Sequence, residues 1–73
     1  MIELKSSEHI AQVLSARRKE LSLTQEEVAI LCNLSVNGLS KFENTSGEKE
    51  IKISTLFKLQ QILGFKLYFE FEE

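Results

Sequence analysis

The stretch Thr24–Asn44 reads TQEEVAILCNLSVNGLSKFEN, and its spacing decides the fold. Thr24 is placed to cap a helix, and Glu27 three residues later completes a capping box. Leu23 and Val28 stand where a hydrophobic staple would close that entry. Val28, Ala29 and Leu31 give the first helix an apolar face. Asn33 falls in the turn, where Asn tolerates the left-handed backbone that most residues avoid. Ser35 can cap a second helix, with Leu34 and Leu39 as its staple. Leu39 and Phe42, three apart, face inward together, which leaves Val36, Asn37, Ser40 and Lys41 on the outer side.

Two capped helices joined by a turn of three to four residues form a helix-turn-helix, whose second helix can enter a DNA major groove. Here the chain resembles a known family. T-Q-E-E-V-A, then L-S, then L-S-K-F-E-N is similar to the helix-turn-helix of the Xre/Cro/C1-type regulators. Downstream, F-E-N, a short polar loop, T-L-F-K-L-Q-Q-I-L and a final alternating apolar strand resemble HipB-type antitoxins, bacterial autorepressors paired with a HipA-like kinase toxin. The resemblance runs from about residue 6 to residue 71. It implies a mostly α, lambda-repressor-like helix-turn-helix bundle of four to five helices, with a C-terminal β-strand for dimerisation, in a single domain spanning 1–73. It also implies that Arg18 on the first helix pairs with Glu43 at the end of the recognition helix, a structural tie, and that Gln25 meets a DNA phosphate.

Seventy-three residues are enough for one small core. A domain of this size buries only about 60% of its unfolded surface, so its stability alone is marginal. One cysteine excludes an intrachain disulfide, and no His/Cys cluster suggests zinc, so a partner chain is the expected support. Cys32 reads as a small buried apolar residue. No apolar run approaches the roughly 20 residues that span a membrane, and the start shows no signal-peptide pattern. With a free cysteine, the expectation is a cytoplasmic, nucleoid-associated bacterial protein.

Nine basic residues face eleven acidic ones, a net charge of −2, where DNA-binding domains are more often basic. Glu70, Glu72 and Glu73 cluster at the end, and without them nine basic residues face eight acidic ones. The local field at the recognition helix matters more than the average. Weak non-specific binding and a reliance on dimerisation follow.

Met1–Lys5 alternates as a short extended arm. Ser6 or Ser7 starts a helix, with Glu8 at its positive end and Ile10, Val13, Leu14 and Leu21 as its stripe. Arg17, Arg18 and Lys19 close it where cations are favoured; as a functional feature, this run, Arg17 above all, would contact phosphate. His9 is a lone polar residue without a second metal ligand at useful spacing. Gln25 opens the second helix, whose N-terminus attracts anions.

On the recognition helix, Asn37 suits direct reading, since Asn bonds bidentately to adenine. Val36 can meet a thymine methyl, Ser35 and Ser40 can donate to phosphates or bases, and Lys41 suits a phosphate. Gly38 departs from the family pattern: it either lets the helix approach the DNA backbone or weakens the helix by about 1 kcal/mol. Asn44, Thr45 and Ser46 are placed to touch the DNA backbone, with Glu48 and Glu50 turned away and Ile51 and Ile53 anchoring the loop. Ser54 caps a further helix with Leu56, Leu59, Ile62 and Leu63 inward, Phe57 as a second apolar edge, and Gly64 at its left-handed end. Its surplus of apolar faces hints at a dimer interface.

FKLYFEF, Phe65 to Phe71, alternates strictly: Phe65, Leu67, Phe69 and Phe71 share one face. A lone strand leaves backbone groups unpaired. Pairing with the same strand of a second copy across a two-fold axis satisfies them; a hairpin with Met1–Lys5 is the alternative.

Three functions compete. The first is a dimeric repressor reading an inverted repeat with recognition helices about 34–36 Å apart, as the antitoxin of a HipA-like kinase toxin. The second is a toxin-independent Xre-type regulator, phage-type or restriction–modification controller. The third is an adaptor using the fold for protein contacts alone. An enzyme is not expected: no nucleophile has a nearby base, no glycine loop cradles phosphate, and no cofactor site is legible.

Overall fold

The first three helices each begin at a hydroxyl side chain. Ser6 Oγ accepts the His9 N–H at 3.1 Å and starts α1, Ser7–Glu20. Thr24 Oγ1 accepts the Glu27 N–H at 3.0 Å, Glu27 Oε1 accepts the Thr24 N–H at 3.0 Å, and this closed capping box starts α2, Gln25–Leu31. Ser35 Oγ accepts the Gly38 N–H at 3.2 Å and starts α3, Val36–Asn44. A fourth helix, α4, spans Ile53–Leu63. This computed structural model describes residues 1–45 and 50–72, so the expectations for Ser46 and Glu48 fall outside the described residues.

The turns that set α2 and α3 are two copies of one device. After α1, Ser22 takes the left-handed conformation (φ 59°), its N–H bonds to Lys19 O at 2.9 Å, and the Leu23 N–H returns to Arg18 O at 3.1 Å. After α2, Asn33 does the same (φ 55°), with Asn33 N–H to Ile30 O at 3.2 Å and Leu34 N–H to Ala29 O at 2.7 Å. These are Schellman closures, which satisfy the last carbonyls of each helix and fold Leu23 and Leu34 back against the core. Asn33 suits its position; Ser22 lacks an Asn side chain and carries the steric cost of a Cβ there, about 1–2 kcal/mol.

α3 packs against α1 and α2, and α4 against α1 and α2. Ala11 and Leu14 of α1, Val28 and Ala29 of α2, Leu39 and Phe42 of α3, and Leu56, Leu59 and Leu63 of α4 form the core, together with Cys32. Phe42 and Leu59 are its largest fully enclosed side chains. Gly64 ends α4 in the left-handed region (φ 69°), as its position after the last apolar residue implies.

Four expectations need correction. Leu31 is 59% exposed, and Cys32 takes the inward position instead, because α2 stops at Leu31 and the Schellman turn swings Cys32 beneath Lys58. Ser54 does not cap α4: Lys52 holds the N-cap position without a side-chain cap bond, and Ser54 is already inside the helix. Of the two isoleucines expected to face inward, Ile51 packs on the core, while Ile53, as the first helical residue, is 64% exposed. Leu21 lies outside α1 as its C-cap and is exposed rather than part of the stripe.

The C-terminal segment differs in a more telling way. Among the described residues no strand forms, so the hairpin between Phe65–Phe71 and Met1–Lys5 is absent. Strand backbone needs a neighbour to take its N–H and C=O groups, and a single chain supplies none there. Phe65 docks on the core, whereas Phe69 and Phe71 are 93% and 87% exposed and stack on one another with centroids 6.2 Å apart.

Candidate nucleic-acid interface

The outer side of α3 carries Val36, Asn37, Gly38 and Lys41, all exposed, with Ser40 half-buried at its edge. The inner side, Leu39 and Phe42, is 5% and 1% exposed. The helix therefore stands on an apolar footing and presents a short polar ridge. Ser35 is exposed, but its hydroxyl oxygen is occupied as the cap. Gly38 leaves room: a Cβ there would meet only Ser35 Cβ at 3.6 Å and Ser35 Oγ at 3.8 Å, both ordinary contacts.

A buried ion pair fixes the far end of the ridge. Arg18 Nε lies 3.1 and 3.0 Å from the two Glu43 carboxylate oxygens, and Nη2 lies 2.8 Å from Oε1. Both side chains are nearly enclosed, at 10% and 5% exposure. Arg18 Nη1 also donates to the Leu23 carbonyl at 2.6 Å, so one guanidinium joins α1, the turn before α2 and the end of α3. Burial pushes the Glu43 carboxyl up, but hydrogen bonds from Arg18 and Gln25, the Arg18 charge and the Ser15 hydroxyl together outweigh it, and the net shift is downward. Glu43 is therefore a carboxylate at neutral pH.

From Glu43 the hydrogen bonds continue to the surface. Gln25 Nε2 donates to Glu43 Oε1 at 3.1 Å and to Asn44 Oδ1 at 3.3 Å. Asn44 Nδ2 donates to Ser40 Oγ at 3.0 Å. Gln25, named from its place at the start of α2, is thus joined to the recognition helix as well. Thr45, the C-cap of α3, donates its hydroxyl to the Lys41 carbonyl at 2.5 Å.

Arg17 goes elsewhere. Its Nε donates to the Leu63 carbonyl at 2.8 Å, and Nη1 meets Glu20 Oε1 at 2.5 Å. It places a cation at the negative end of α4, and the structure does not bring it together with the α3 ridge. Its neighbour Lys19 does join that neighbourhood: Lys19, Gln25, Glu26 and Val36 line one shallow surface depression with Ser22 and Thr24. Lys19 is the cation that a reading centred on Arg17 passes over. The signal was its place in the Arg-Arg-Lys run, one residue further round the helix from the buried Arg18. Cys32 takes no part: it is buried, its thiol lies 3.6 Å from the Lys58 carbonyl, and burial raises its pKa, partly offset by the Lys58 charge.

The second apolar surface is separate. Phe69, Phe71, Tyr68 and Leu67 are exposed after α4, with Ile53 and Phe57 on α4 itself. Of the expected dimer residues, only Phe65 is held by its own core. Among the described residues no helix is long and apolar enough to cross a membrane.

Comparison with known proteins places this geometry. Residues 14–69 match the profile of a family described as Helix-turn-helix. No curated protein matches the chain. Among solved structures, the one described as the HipB-O4 20mer complex superposes with a TM-score of 0.81 at 22% identity, over 100% of both chains. The HipB-O1-O2 complex superposes with a TM-score of 0.79 at 23% identity, over 94% of this chain and 97% of that one. At such identities the likeness is one of fold.

Proposed function

This chain belongs to the helix-turn-helix family, of the Xre type, and from that premise we propose that it is a sequence-specific DNA-binding transcriptional repressor. The observation that carries the reading is the posture of α3. Its apolar side is sealed in the core, its end is bolted to α1 by Arg18 and Glu43, and Val36, Asn37 and Lys41 are left outward, with no side-chain partner among the described residues. A base-reading helix must be held at a fixed angle while its reading side chains stay solvent-facing, and this arrangement does both.

In this reading Asn37 and Val36 read base edges, Lys41 and Lys19 neutralise phosphates, and Gln25 through its backbone N–H, with Ser35, Ser40 and Thr45, orients the helix on the DNA backbone. Arg17 is assigned to α4 rather than to DNA. The protein acts as a homodimer on an inverted-repeat operator of double-stranded DNA. The exposed alternation Leu67, Phe69 and Phe71 supports pairing with the same segment of a second copy, with Phe65 as its root.

The likeness to HipB in its complexes supports a finer reading: the antitoxin of a HipA-like kinase toxin, autoregulating its operon and binding the toxin. A toxin-independent Xre-type regulator would use the same DNA residues. Copurification with the product of the adjacent gene, followed by binding to upstream DNA at two salt concentrations, separates them. A stable complex with a kinase-like partner and DNA binding that falls steeply with salt are expected. DNA binding without any such partner leaves the toxin-independent regulator, and no binding at low salt by a folded dimer overturns the repressor reading.

A further inference from the structure

Hydrogen bonds have direction, and the chain from Glu43 to Ser40 has only one direction available. Glu43, in its bidentate contact with Arg18, is a carboxylate and can only accept. The Gln25 atom 3.1 Å from it must therefore be the amide nitrogen. That nitrogen's second N–H points at Asn44, so the Asn44 atom 3.3 Å away must be its oxygen. The Asn44 nitrogen is then the group 3.0 Å from Ser40 Oγ, and Ser40 accepts. At each step the amide orientation follows from the neighbour before it, back to one buried charge.

Two groups at the end of this chain are left with set polarity. Gln25 has both amide hydrogens engaged, and its oxygen has no donor among the described residues. Gln25 is half-buried, and among the described residues no partnerless side-chain oxygen or nitrogen is buried, so that oxygen reaches solvent as an acceptor. Ser40 has its oxygen engaged as an acceptor, and its hydroxyl hydrogen has no acceptor among the described residues.

We propose that the Arg18–Glu43 pair sets the hydrogen-bond polarity of the DNA-facing surface, making Ser40 an outward donor and Gln25 an outward acceptor. Gln25 and Asn44 are positioning residues in this relay, and Ser40 is the specificity element it delivers. A donor at Ser40 matches a phosphate oxygen or a base acceptor such as a purine N7, guanine O6 or thymine O4, and with one oxygen lone pair taken by Asn44 it is less suited to the amino groups of adenine or cytosine. The outward Gln25 oxygen, conversely, repels phosphate oxygen and favours a base amino group or water. The use on DNA rests on the repressor reading above; the relay itself does not.

The test has two arms. In the free protein, the side-chain NH₂ resonances of Gln25 and Asn44 are followed by nitrogen-edited NMR. Slowed exchange is expected for both. Ser40→Ala should release the Asn44 pair and leave the Gln25 pair slow, and Asn44→Ala should loosen Gln25 while leaving the Arg18–Glu43 pair intact. Both pairs exchanging at solvent-exposed rates, or an Asn44 pair indifferent to Ser40→Ala, would overturn the relay.

The second arm uses DNA upstream of the protein's own coding sequence. Ser40→Ala should weaken binding roughly five-fold to ten-fold, the worth of one hydrogen bond. Asn44→Asp supplies an acceptor-only group, so Ser40 must donate inward and its outward donor is lost. In that background Ser40→Ala should cost nothing further, and the double-mutant cycle cancels the added charge. An equal Ser40→Ala penalty in both backgrounds, or none in the wild type, overturns the donor assignment. Methylphosphonate linkages remove a phosphate acceptor and 7-deazapurines remove N7, so whichever erases the Ser40 effect names the source. A wild-type protein that ignores this DNA while its Gln25 and Asn44 pairs remain slow would sink the repressor reading and the Ser40 role on DNA, and leave the relay standing.

Discussion

Two stretches of this chain obey opposite rules. From Arg18 to Asn44, end groups are settled internally by a capping box, two Schellman turns, a second hydroxyl cap and a buried ion pair, and the outer side of α3 is left facing solvent. From Phe65 to Glu72, a sequence with the alternation of a strand has no ladder, and its rings face outward after Phe65. The first stretch is complete in one copy. The second leaves its rings exposed, and it is where we propose that a second copy pairs. The comparison teaches that the proposed reading helix is held by contacts within one chain, whereas the proposed pairing segment lies exposed on it, a division that the inverted-repeat reading proposed above would need.

The largest effect should come from breaking the internal settlement. Glu43→Ala leaves the Arg18 guanidinium buried without its carboxylate, and removing one partner of such a pair costs about 3–5 kcal/mol. Total stability for a chain of 73 residues is about 4–11 kcal/mol, so the variant should lose a large share of it. A denaturant titration measures it. Arg18→Met with Glu43→Leu should recover much of the loss, because paired apolar replacement removes the orphaned charge. Equal stability of Glu43→Ala and wild type would show that the two stretches are not so different after all.

Next in size is the break at the other stretch. Phe69→Ser with Phe71→Ser removes two exposed rings, so the monomer fold should barely change while the proposed dimer dissociates. Sedimentation at fixed concentration should move from two chains to one, and operator affinity should fall by orders of magnitude through lost bivalency, with the thermal profile of the isolated fold preserved. Retained dimerisation would move the two-fold contact onto α4, where Ile53 and Phe57 lie exposed.

How far this contrast could be read beforehand follows from range. The caps at Thr24 and Ser35 and the turn at Asn33 were legible because each is a contract among residues three to five apart. Arg18 with Glu43 was legible through the family pattern. Arg17 was not, since its partner is a backbone carbonyl 46 residues away and carbonyls carry no sequence signature. Gln25 was named for its helix end, but its engagement by Glu43 and Asn44 needed the packing of α2 on α3. Lys52 displaced Ser54 as the α4 cap because Ile51 docks on the core and the helix starts two residues early, a tertiary decision that the Ser signal could not anticipate.

A milder probe of the internal stretch is pH. Glu43 is held below the ordinary carboxylate range, so its contribution is full above its unfolded pKa, about 4.3, and is lost as pH falls through the lower folded value. Stability should therefore be flat near neutrality and decline in that acidic window. Glu43→Gln should be less stable at pH 7 and show a shallower acid decline, with Glu27, also lowered by its Thr24 bonds, accounting for part of what remains. An unchanged acid profile would assign the decline to other carboxylates.

The smallest changes test whether the internal stretch is settled for stability or for reading. Ser22→Gly should raise stability by about 0.5–1 kcal/mol, since glycine accepts the left-handed closure of α1 without a Cβ penalty. Gly38→Ala should raise it by a similar or lesser amount, because the new methyl meets Ser35 at ordinary distances and glycine is a poor helix former. The two variants part company on DNA. Ser22 borders the depression beside α3 without belonging to the ridge, so its variant should bind as wild type does. Gly38 sits in the ridge between Asn37 and Leu39, and if glycine is there to let the recognition helix approach the DNA backbone, Gly38→Ala should be more stable and bind more weakly. Stability and affinity rising together at Gly38 would instead mark the glycine as a plain weakness of the helix.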